Sequence, residues 1–302
     1  MRIAGSQNVP PRHILSFDVE EYFQVEAAAG SVAPDQWGSF PKRLERPMEV
    51  ILQALADFGA KATFFVLGWV ARHEPRIVQQ IAAAGHEIAS HGDGHCMITR
   101  QSPPQFHRDL LDSRRILEDL TGQRVVGYRA PTFSITHGTA WALDVLAEAG
   151  FLYDSSVFPV HHDRYGVSDA PTEPHRAVGP RGGQLIELPP LTLRVAGMNL
   201  PVGGGGYLRL LPLGMIHSAL KGCQKRGVPG MIYLHPWELD ATQPRLPLGG
   251  LANWRHRVNL DRTESKLRKL LDRYAFTDVQ SLIPTLSDLP TFRYGMPKAR
   301  AA

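Results

Sequence analysis

Short apolar runs rich in β-branched and aromatic residues alternate along this chain with longer segments that have the period of an amphipathic helix. The runs predicted as strands are residues 14–18, 62–67, 87–90, 124–129, 152–155, 184–188, 230–235 and 276–279. The predicted helices are residues 46–58, 70–84, 104–120, 136–149, 212–226 and 261–274. Such alternation is typical of parallel strands joined by crossover helices. Seven or eight strand–helix units predict an α/β fold, a complete, incomplete or distorted (β/α) barrel with its active site at the C-terminal strand ends.

Composition narrows the class of protein. The chain has 302 residues, of which 43% are hydrophobic, enough for one large core. No long linker interrupts it, so we expect a single domain over residues 1–289 and a loose tail over residues 290–302. The net charge of +4 comes from scattered cations, which argues against a nucleic-acid partner. The two cysteines exclude a disulfide framework and fit a reducing compartment, while one bridge between them stays open.

Residues 1–12 are polar and contain proline, and no segment approaches the roughly 20 apolar residues of a membrane span. Neither this N-terminus nor the first apolar run has the pattern of a signal peptide. We therefore expect a cytoplasmic protein without a transmembrane segment. A peripheral contact with a membrane stays open.

Two histidines four residues apart, His91 and His95, follow a predicted strand and alternate with glycines. This spacing is typical of metal ligands, and a divalent ion would also need a carboxylate. The first predicted strand ends in acids, and period-two geometry sends Asp18 and Glu20 to one face and Glu21 to the other. Asp93 is the alternative carboxylate. Cys96 is interpreted as a buried residue rather than a ligand.

Several ordered motifs resemble those of the NodB-type polysaccharide deacetylases, within the carbohydrate esterase 4 superfamily. The motifs are SFDVEEYF at 16–23, ATFFV at 62–66, HEIASH at 86–91, YRAP at 128–131, YDSS at 153–156 and LHPWEL at 234–239. The segments at 204–212 and 258–264 are similar to the subgroup found with exosortase-type exopolysaccharide systems, which places a subgroup-specific portion from about residue 200.

The resemblance implies a role for each motif. Asp18 would be the general base, and one divalent ion, zinc by default, would be bound by a carboxylate together with His91 and His95. This chain departs from the commoner adjacent Asp-Asp pair, and both some relatives and the strand geometry point to Glu20 as the carboxylate. Arg129 would pair with Asp18 and keep it ionised. Asp154 would pair with His235, which would act as the general acid.

Five residues are expected to bind the sugar, partly because aromatic rings stack on pyranose faces: Tyr207, Arg209, Trp237, Glu238 and Pro131. The glycine run at 203–206 lacks the spacing of a nucleotide-binding loop. We expect it to let backbone approach a substrate closely.

The resemblance therefore predicts a metal-dependent hydrolase that removes N-acetyl groups from a polysaccharide or its precursor in exopolysaccharide biosynthesis. Its partners would be an N-acetylated glycan and a polysaccharide synthesis or export machinery. The alternatives are a deacylase or deformylase acting on a lipid-linked or cyclic amide, and a glycan-binding barrel without catalysis.

Overall fold

The structure is a computed structural model that describes residues 11–162 and 165–295. Its strands are β1 (His13–Val19), β2 (Thr63–Val66), β3 (Glu87–Ser90), β4 (Gly127–Tyr128), β5 (Tyr153–Asp154), β6 (His175–Val178), β7 (Gln184–Glu187), β8 (Thr192–Val195), β9 (Met198–Pro201), β10 (Met231–Leu234), β11 (Phe276–Thr277) and β12 (Thr291–Arg293). Its α-helices are α1 (Glu45–Asp57), α2 (Gly68–His73), α3 (Pro75–Ala83), α4 (Pro103–Thr121), α5 (Trp141–Glu148), α6 (Gly206–Leu210), α7 (Leu213–Arg226), α8 (Gly250–Arg257), α9 (Thr263–Arg273) and α10 (Val279–Leu282).

Seven strands run parallel in the order β10-β1-β2-β3-β4-β5-β7. Beyond β7 the sheet continues with the antiparallel strand β6 and then β12, while β11 pairs with the start of β1. Helices connect most of the parallel strands, as expected for a (β/α) fold. The predicted fold class is confirmed, and within residues 11–162 and 165–295 the sheet is not closed by continuous strand pairing.

The two ends of the seven-stranded path meet at a short irregular contact. Two isolated parallel bridges reach β10: Pro190, just after β7, pairs with Met231, and Gly204 pairs with Tyr233. The neighbouring Tyr233 donates its N–H to the carbonyl of Gly203 at 2.8 Å. A Cβ on Gly204 would lie 1.7 Å from the carbonyl oxygen of Tyr233. The glycine run therefore lets backbone approach β10, and the expectation that it serves a substrate is wrong for this residue.

The core lies between the sheet and the helices around it. Helix α1 buries Met48, Ile51 and Leu55, which lie on one face because they are three and four residues apart. Helix α4 buries Phe106 and Leu110 in the same way. These side chains belong to one large cluster that also contains apolar residues of the strands. Burial of this helical face fixes the strands whose ends carry the site.

Some predicted elements differ from those observed. The predicted helix 70–84 is divided at Glu74, because Pro75 lacks an N–H and disfavours helical backbone at the residue before it. The predicted strand 124–129 is only two residues long. The stretches 156–183 and 236–258 are rich in glycine, proline, histidine and arginine and predict long loops. Each nevertheless contains a regular element, β6 in the first and α8 in the second.

The expected loose tail also differs from the structure where it is described. Residues Thr291–Arg293 form β12, paired with β6, so the expectation is wrong for these three residues. Tyr294 is buried and donates its hydroxyl to His175 at 2.6 Å, which ties the segment to the sheet. Residues 296–302 lie outside the described residues.

Candidate active site

Five predicted site residues meet where parallel strands end. Asp18 lies at the end of β1, Glu20 just after it, His91 after β3 and His235 after β10. His95 follows in the loop after β3. All five line one pocket of about 180 Å³. They converge because the C-terminal ends of parallel strands lie on the same rim.

Glu20, His91 and His95 form the candidate metal centre. Each is buried and offers one ligand atom, and these atoms lie within 4.8 Å of one another. The Oε2 atom of Glu20 is 2.8 Å from Nε2 of His95 without the geometry of a hydrogen bond. His91 donates Nδ1–H to the carbonyl of Arg129 at 2.8 Å, which leaves its Nε2 as a free lone pair. A buried, unsatisfied carboxylate oxygen facing imidazole lone pairs fits a divalent ion.

The ionisation of these groups suits the same ligand set. Burial alone would raise the pKa of Glu20, but the nearby His95 and His235 lower it to about 2. Burial lowers the pKa of His91 to about 4. At neutral pH the cluster therefore presents a carboxylate and a neutral imidazole, the forms that bind metal.

The loop from 91 to 95 is held in an irregular turn. Gly92 has a φ of 79° and His95 one of 51°, in the left-handed region. The N–H of Asp93 donates to the carboxylate of Asp109 at 3.1 Å. The side chain of Asp93 forms a two-point ion pair with Arg72, at 2.6 and 2.8 Å. Asp93, the alternative ligand, is therefore engaged away from the candidate metal centre.

Glu21 points away from the pocket, on the other face from Glu20, as period-two geometry predicts. Its Oε1 accepts the N–H of Arg43 at 2.7 Å. Burial and the adjacent carboxyl of Glu74 raise its pKa to about 8. Glu21 therefore binds the backbone of the segment that leads into α1.

Asp18 is paired with Arg129, as the sequence predicts. The Nη1 of Arg129 donates to Oδ1 of Asp18 at 2.6 Å, and both side chains are buried. Arg129 is fixed by two further hydrogen bonds to Ser155 and by the ring of Phe65, 4.1 Å from its guanidinium carbon. A guanidinium held on three sides fixes the orientation of the Asp18 carboxylate.

His235 is held by Glu238, three residues later. Oε2 of Glu238 lies 3.0 Å from Nδ1 of His235 and also accepts the His235 backbone N–H at 3.0 Å. Nε2 of His235 faces the pocket, 3.8 Å from oxygens of Asp18 and Glu20. Burial would lower the pKa of His235, but the surrounding Glu20, Glu238 and Asp18 raise it to about 9. The imidazole is therefore protonated at neutral pH in the absence of a bound cation.

The expected pairing of Asp154 with His235 is wrong. Within the described residues no hydrogen bond or ion pair joins the two side chains. Asp154 on β5 is in register with Glu187 on β7, and parallel neighbours in register present side chains on the same face. Asp154 accepts the hydroxyl of Ser156, and burial raises its pKa to about 6. The two carboxyls therefore face each other in the interior instead of reaching the pocket.

Two predicted sugar-binding residues are buried in a structural network. Glu238 is completely buried, and its Oε1 accepts Nε–H of Arg209 at 2.7 Å. Nη1 of Arg209 donates to the carbonyls of Arg255 and Val258 at the end of α8. The guanidinium of Arg209 is therefore bonded largely to the protein, and this side chain only borders a cavity. The prediction that Glu238 binds sugar directly is wrong, because its carboxylate is buried and bonded to Arg209.

Of the other three predicted sugar-binding residues, one lines the pocket and two do not. Trp237 lines the pocket and donates its indole N–H to Oε1 of Glu20 at 3.1 Å. Tyr207 and Pro131 are not among the described residues that line the pocket. Sequence reasoning missed Phe133 and Tyr165, which form an aromatic wall. Phe133 ends a short 3₁₀ turn and Tyr165 stands in a loop, and neither segment has periodic patterning, so no sequence signal marked them.

Known families match the chain in two consecutive segments. Residues 41–153 match the family model described as "Polysaccharide deacetylase". The segment from 41 to 153 therefore belongs to the polysaccharide deacetylase family. Residues 155–284 match "Domain of unknown function (DUF3473)". The polysaccharide deacetylase segment contains His91, His95 and Arg129, whereas Asp18 and Glu20 precede it and His235 follows it.

Relatives support the same family over part of the chain. A peptidoglycan deacetylase-like protein of Gibberella zeae is 42% identical over 98 residues, 32% of this chain and 28% of that protein. A chitooligosaccharide deacetylase of Bradyrhizobium sp. is 29% identical over 97 residues, 32% of this chain and 42% of the relative. The alignments thus span less than half the length of these two polysaccharide deacetylase relatives.

A solved structure extends the comparison to nearly the whole chain. A Mycobacterium smegmatis protein described as a polysaccharide deacetylase covers 98% of this chain and 96% of its own, with a TM-score of 0.61 and 19% identity. This similarity concerns the fold, and it includes the segment after residue 153. No helix among the described residues is long and apolar enough to cross a membrane.

Proposed function

We propose that this protein is a metal-dependent hydrolase that removes N-acetyl groups from amino sugars of a glycan. The observation that carries the proposal is the arrangement of the pocket. The Asp18–Arg129 pair and His235 border the same cavity of about 180 Å³ as the candidate metal centre. Relatives named as chitooligosaccharide and peptidoglycan deacetylases support an N-acetylated glycan as substrate.

Glu20, His91 and His95 would hold the ion. When bound, a divalent ion lowers the pKa of water and polarises an amide carbonyl. Asp18, oriented by Arg129, takes the proton from the attacking water. It needs no rearrangement for this, because Arg129 occupies Oδ1 and leaves Oδ2 facing the pocket.

His235 supplies the proton at the other end of the reaction. Glu238 holds Nδ1, so Nε2 is the atom that donates a proton to the departing amine. His235 therefore acts as the general acid and Asp18 as the general base, and both line the same pocket. The aromatic side chains of Phe133 and Tyr165 form one wall of the pocket in which this chemistry would occur.

The identity of the ion follows from the chemistry of its ligands. The biological setting follows from the similarity of residues 204–212 and 258–264 to the subgroup found with exosortase-type exopolysaccharide systems. Zinc is the proposed ion, because two imidazoles and a carboxylate are a common zinc set in hydrolases. The proposed setting is cytoplasmic exopolysaccharide biosynthesis, in contact with the synthesis and export machinery. A deletion strain carrying Asp18→Asn should make no mature polymer. Restoration of polymer by that variant would contradict an enzymatic role.

The direct test combines metal analysis with product detection. Purified protein is expected to contain one divalent ion per chain and to release acetate from N-acetylated oligosaccharides. A matched control is Asp119→Asn, at an exposed aspartate on α4 far from the pocket, which should leave the rate unchanged. Release of formate, or hydrolysis of cyclic amides alone, would assign the same site to a different substrate. Binding of glycan without any hydrolysis would contradict the proposal.

A further inference from the structure

Asp154 and Glu187 form a pair of interior carboxyl groups that takes no part in the proposed reaction. They are in register on the neighbouring parallel strands β5 and β7, and both are completely buried. Their side chains are hydrogen-bonded to each other. Such a bond needs a proton, because two ionised carboxylates only accept. Burial and the adjacent Asp154 raise the pKa of Glu187 well above its usual value, so the pair holds one proton and one negative charge at neutral pH.

Each carboxyl also binds the segment that follows β5. Oε1 of Glu187 accepts the N–H of Val157 at 3.0 Å, and Oδ1 of Asp154 accepts the hydroxyl of Ser156. The remaining oxygens, Oδ2 of Asp154 and Oε2 of Glu187, receive no N–H or O–H from any other residue that the structure describes. They are therefore left for the shared proton, and the pair fixes the chain at residues 156 and 157.

Ser156 connects this pair to the candidate metal centre through one peptide group. The N–H of Ala130 donates to Oγ of Ser156 at 2.7 Å. The carbonyl of the same peptide group, which belongs to Arg129, accepts Nδ1–H of His91 at 2.8 Å. Because Oγ of Ser156 accepts from Ala130, its own proton goes to Asp154. Three donors in succession therefore point from the pocket toward the carboxyl pair.

The common direction of these bonds affects His91. Hydrogen bonds in series polarise one another, and the effect is larger in a buried environment of low dielectric constant. A histidine that binds a metal is oriented by the group that accepts its other ring N–H, and this acceptor also raises the basicity of the ligand. For His91 the acceptor is a carbonyl, and behind that carbonyl lies the buried negative charge of Asp154 and Glu187.

We infer that the Asp154–Glu187 pair positions His91 and strengthens it as a metal ligand. The pair acts through the hydroxyl of Ser156 and the peptide group that follows Arg129. This deepens the proposed function and rests on it, since it takes His91 to be a ligand of the ion. Asp154 then serves the candidate metal centre from behind β4.

Two substitutions of Glu187 separate positioning from packing. In Glu187→Gln the amide oxygen still accepts from Val157, and the amide nitrogen donates to Asp154 in place of the shared proton. In Glu187→Leu the volume is similar but neither bond forms. The glutamine variant should keep the zinc dissociation constant within about threefold of the wild type, and the leucine variant should raise it at least about tenfold. Competition with a chromophoric chelator measures the constant.

Two further variants separate the inference from a loss of folding. Ser156→Ala removes a single hydroxyl and should raise the zinc dissociation constant by about the same factor as Glu187→Leu. Glu87→Leu is the matched control, because Glu87 is a buried carboxyl that binds Thr63 and Tyr153 at the start of β3, the end of that strand away from His91. It should lower stability and leave zinc binding unchanged.

The ring N–H of His91 gives a readout that needs neither an ion nor turnover. In nuclear magnetic resonance spectra of metal-free protein with isotope-labelled histidine, its Nδ1–H signal is assigned by its loss in His91→Gln. A ring N–H held by this chain of bonds exchanges slowly with solvent. Its exchange should be at least about tenfold faster in Glu187→Leu and Ser156→Ala than in the wild type or Glu87→Leu.

The outcomes separate this inference from the proposed hydrolysis. Zinc binding and His91 exchange that are unchanged in Glu187→Leu and Ser156→Ala would overturn it, and so would equal effects of Glu87→Leu and Glu187→Leu. A glutamine variant as weak as the leucine variant would contradict the shared proton. If the variants rank as expected while the wild-type protein releases no acetate, the positioning of His91 stands and the hydrolysis fails. If no zinc binds, the metal centre fails and the exchange rates alone decide the positioning.

Discussion

Glu238 holds the Nδ1 side of His235, with its Oε2 3.0 Å from that nitrogen and its Oε1 2.7 Å from Arg209. The carboxylate is completely buried, so its contacts are with the protein. Glu238 is therefore a positioning residue, which fixes the tautomer and ring orientation of the general acid. The acid partner in this chain comes from the turn after β10 and not from Asp154 on β5.

Glu238→Gln should lower kcat for acetate release by about 100-fold with little change in KM, because a neutral amide holds His235 less firmly and removes a charge that supports its protonated form. Steady-state kinetics on an N-acetylated oligosaccharide measures both constants. Asp154→Asn is the comparison, since Asp154 lies near the interior without touching His235. A larger loss of kcat for Asp154→Asn than for Glu238→Gln would restore the pairing with Asp154.

Arg129→Lys should lower kcat strongly, by about 100-fold, because a single ammonium cannot reproduce the geometry with which the guanidinium binds Asp18 and Ser155. The metal content should not change, since Arg129 contacts His91 only through its backbone carbonyl. Elemental analysis beside kinetics checks both statements. Loss of metal together with activity would mean that Arg129 supports the candidate metal centre instead of the base.

Gly204→Ala should destabilise the fold by more than about 2 kcal/mol, because the added Cβ would overlap the carbonyl oxygen of Tyr233 at 1.7 Å. Urea unfolding gives the free energy of unfolding. Gly214→Ala is a matched control in the exposed first turn of α7, where no atom lies within 4 Å of a Cβ, and it should stabilise by about 0.5–1 kcal/mol. Equal stability of the two variants would contradict the tight contact across the ends of the sheet.

Acid should destabilise the protein through buried histidines outside the pocket. Burial lowers the pKa of His13, His86 and His175 from 6.5 to about 4. A depressed histidine pKa contributes stability above about pH 6.5, and that stability is lost as the pH falls toward 4. Between pH 7.5 and pH 5, each histidine should lower the free energy of unfolding by about 2 kcal/mol.

The histidine effect can be isolated at one position. His175 donates one ring nitrogen to the carbonyl of Glu173 and accepts the hydroxyl of Tyr294 at the other. His175→Gln keeps polar contacts but does not titrate. Urea unfolding at pH 7.5 and pH 5 should show a smaller loss of unfolding free energy for this variant than for the wild type. An identical loss would mean that other groups control the acid limb.

The sequence predicts those features that depend on the alternation of side chains along a strand and on the parallel direction of the strands. Asp18 and Glu20 share a face because side chains alternate along a strand, and they meet His91 because parallel strands end at one rim. The Asp18–Arg129 pair also followed from the resemblance. These relationships need only the order of the strands.

The partner of His235 could not be found that way, because it depends on which side chain folds back within a turn. A usable signal was nevertheless present. Pro236 at the first position and Glu238 at the third form a cap on the backbone N–H of His235, a recurrent way to begin a helical turn. Such a cap places the glutamate carboxylate beside the residue it caps, here His235.

Helix α8 was outside the reach of sequence reasoning for another reason. It lies in a stretch rich in glycine and proline that predicts a loop, and Arg209 from a distant part of the chain binds carbonyls at its end. Contacts between remote segments leave no local pattern. Tertiary contacts therefore stabilise this helix in a stretch whose sequence predicts a loop.

The central claim is that Asp18 acts as the base in a hydrolytic site whose ion is held by Glu20, His91 and His95. The most direct measurement is the rate of acetate release by Asp18→Asn after its metal content has been matched to that of the wild type. We expect one ion per chain and a rate lowered at least about 1,000-fold, within the range for loss of a general base. Acetate release at the wild-type rate by this metal-loaded variant would contradict the account.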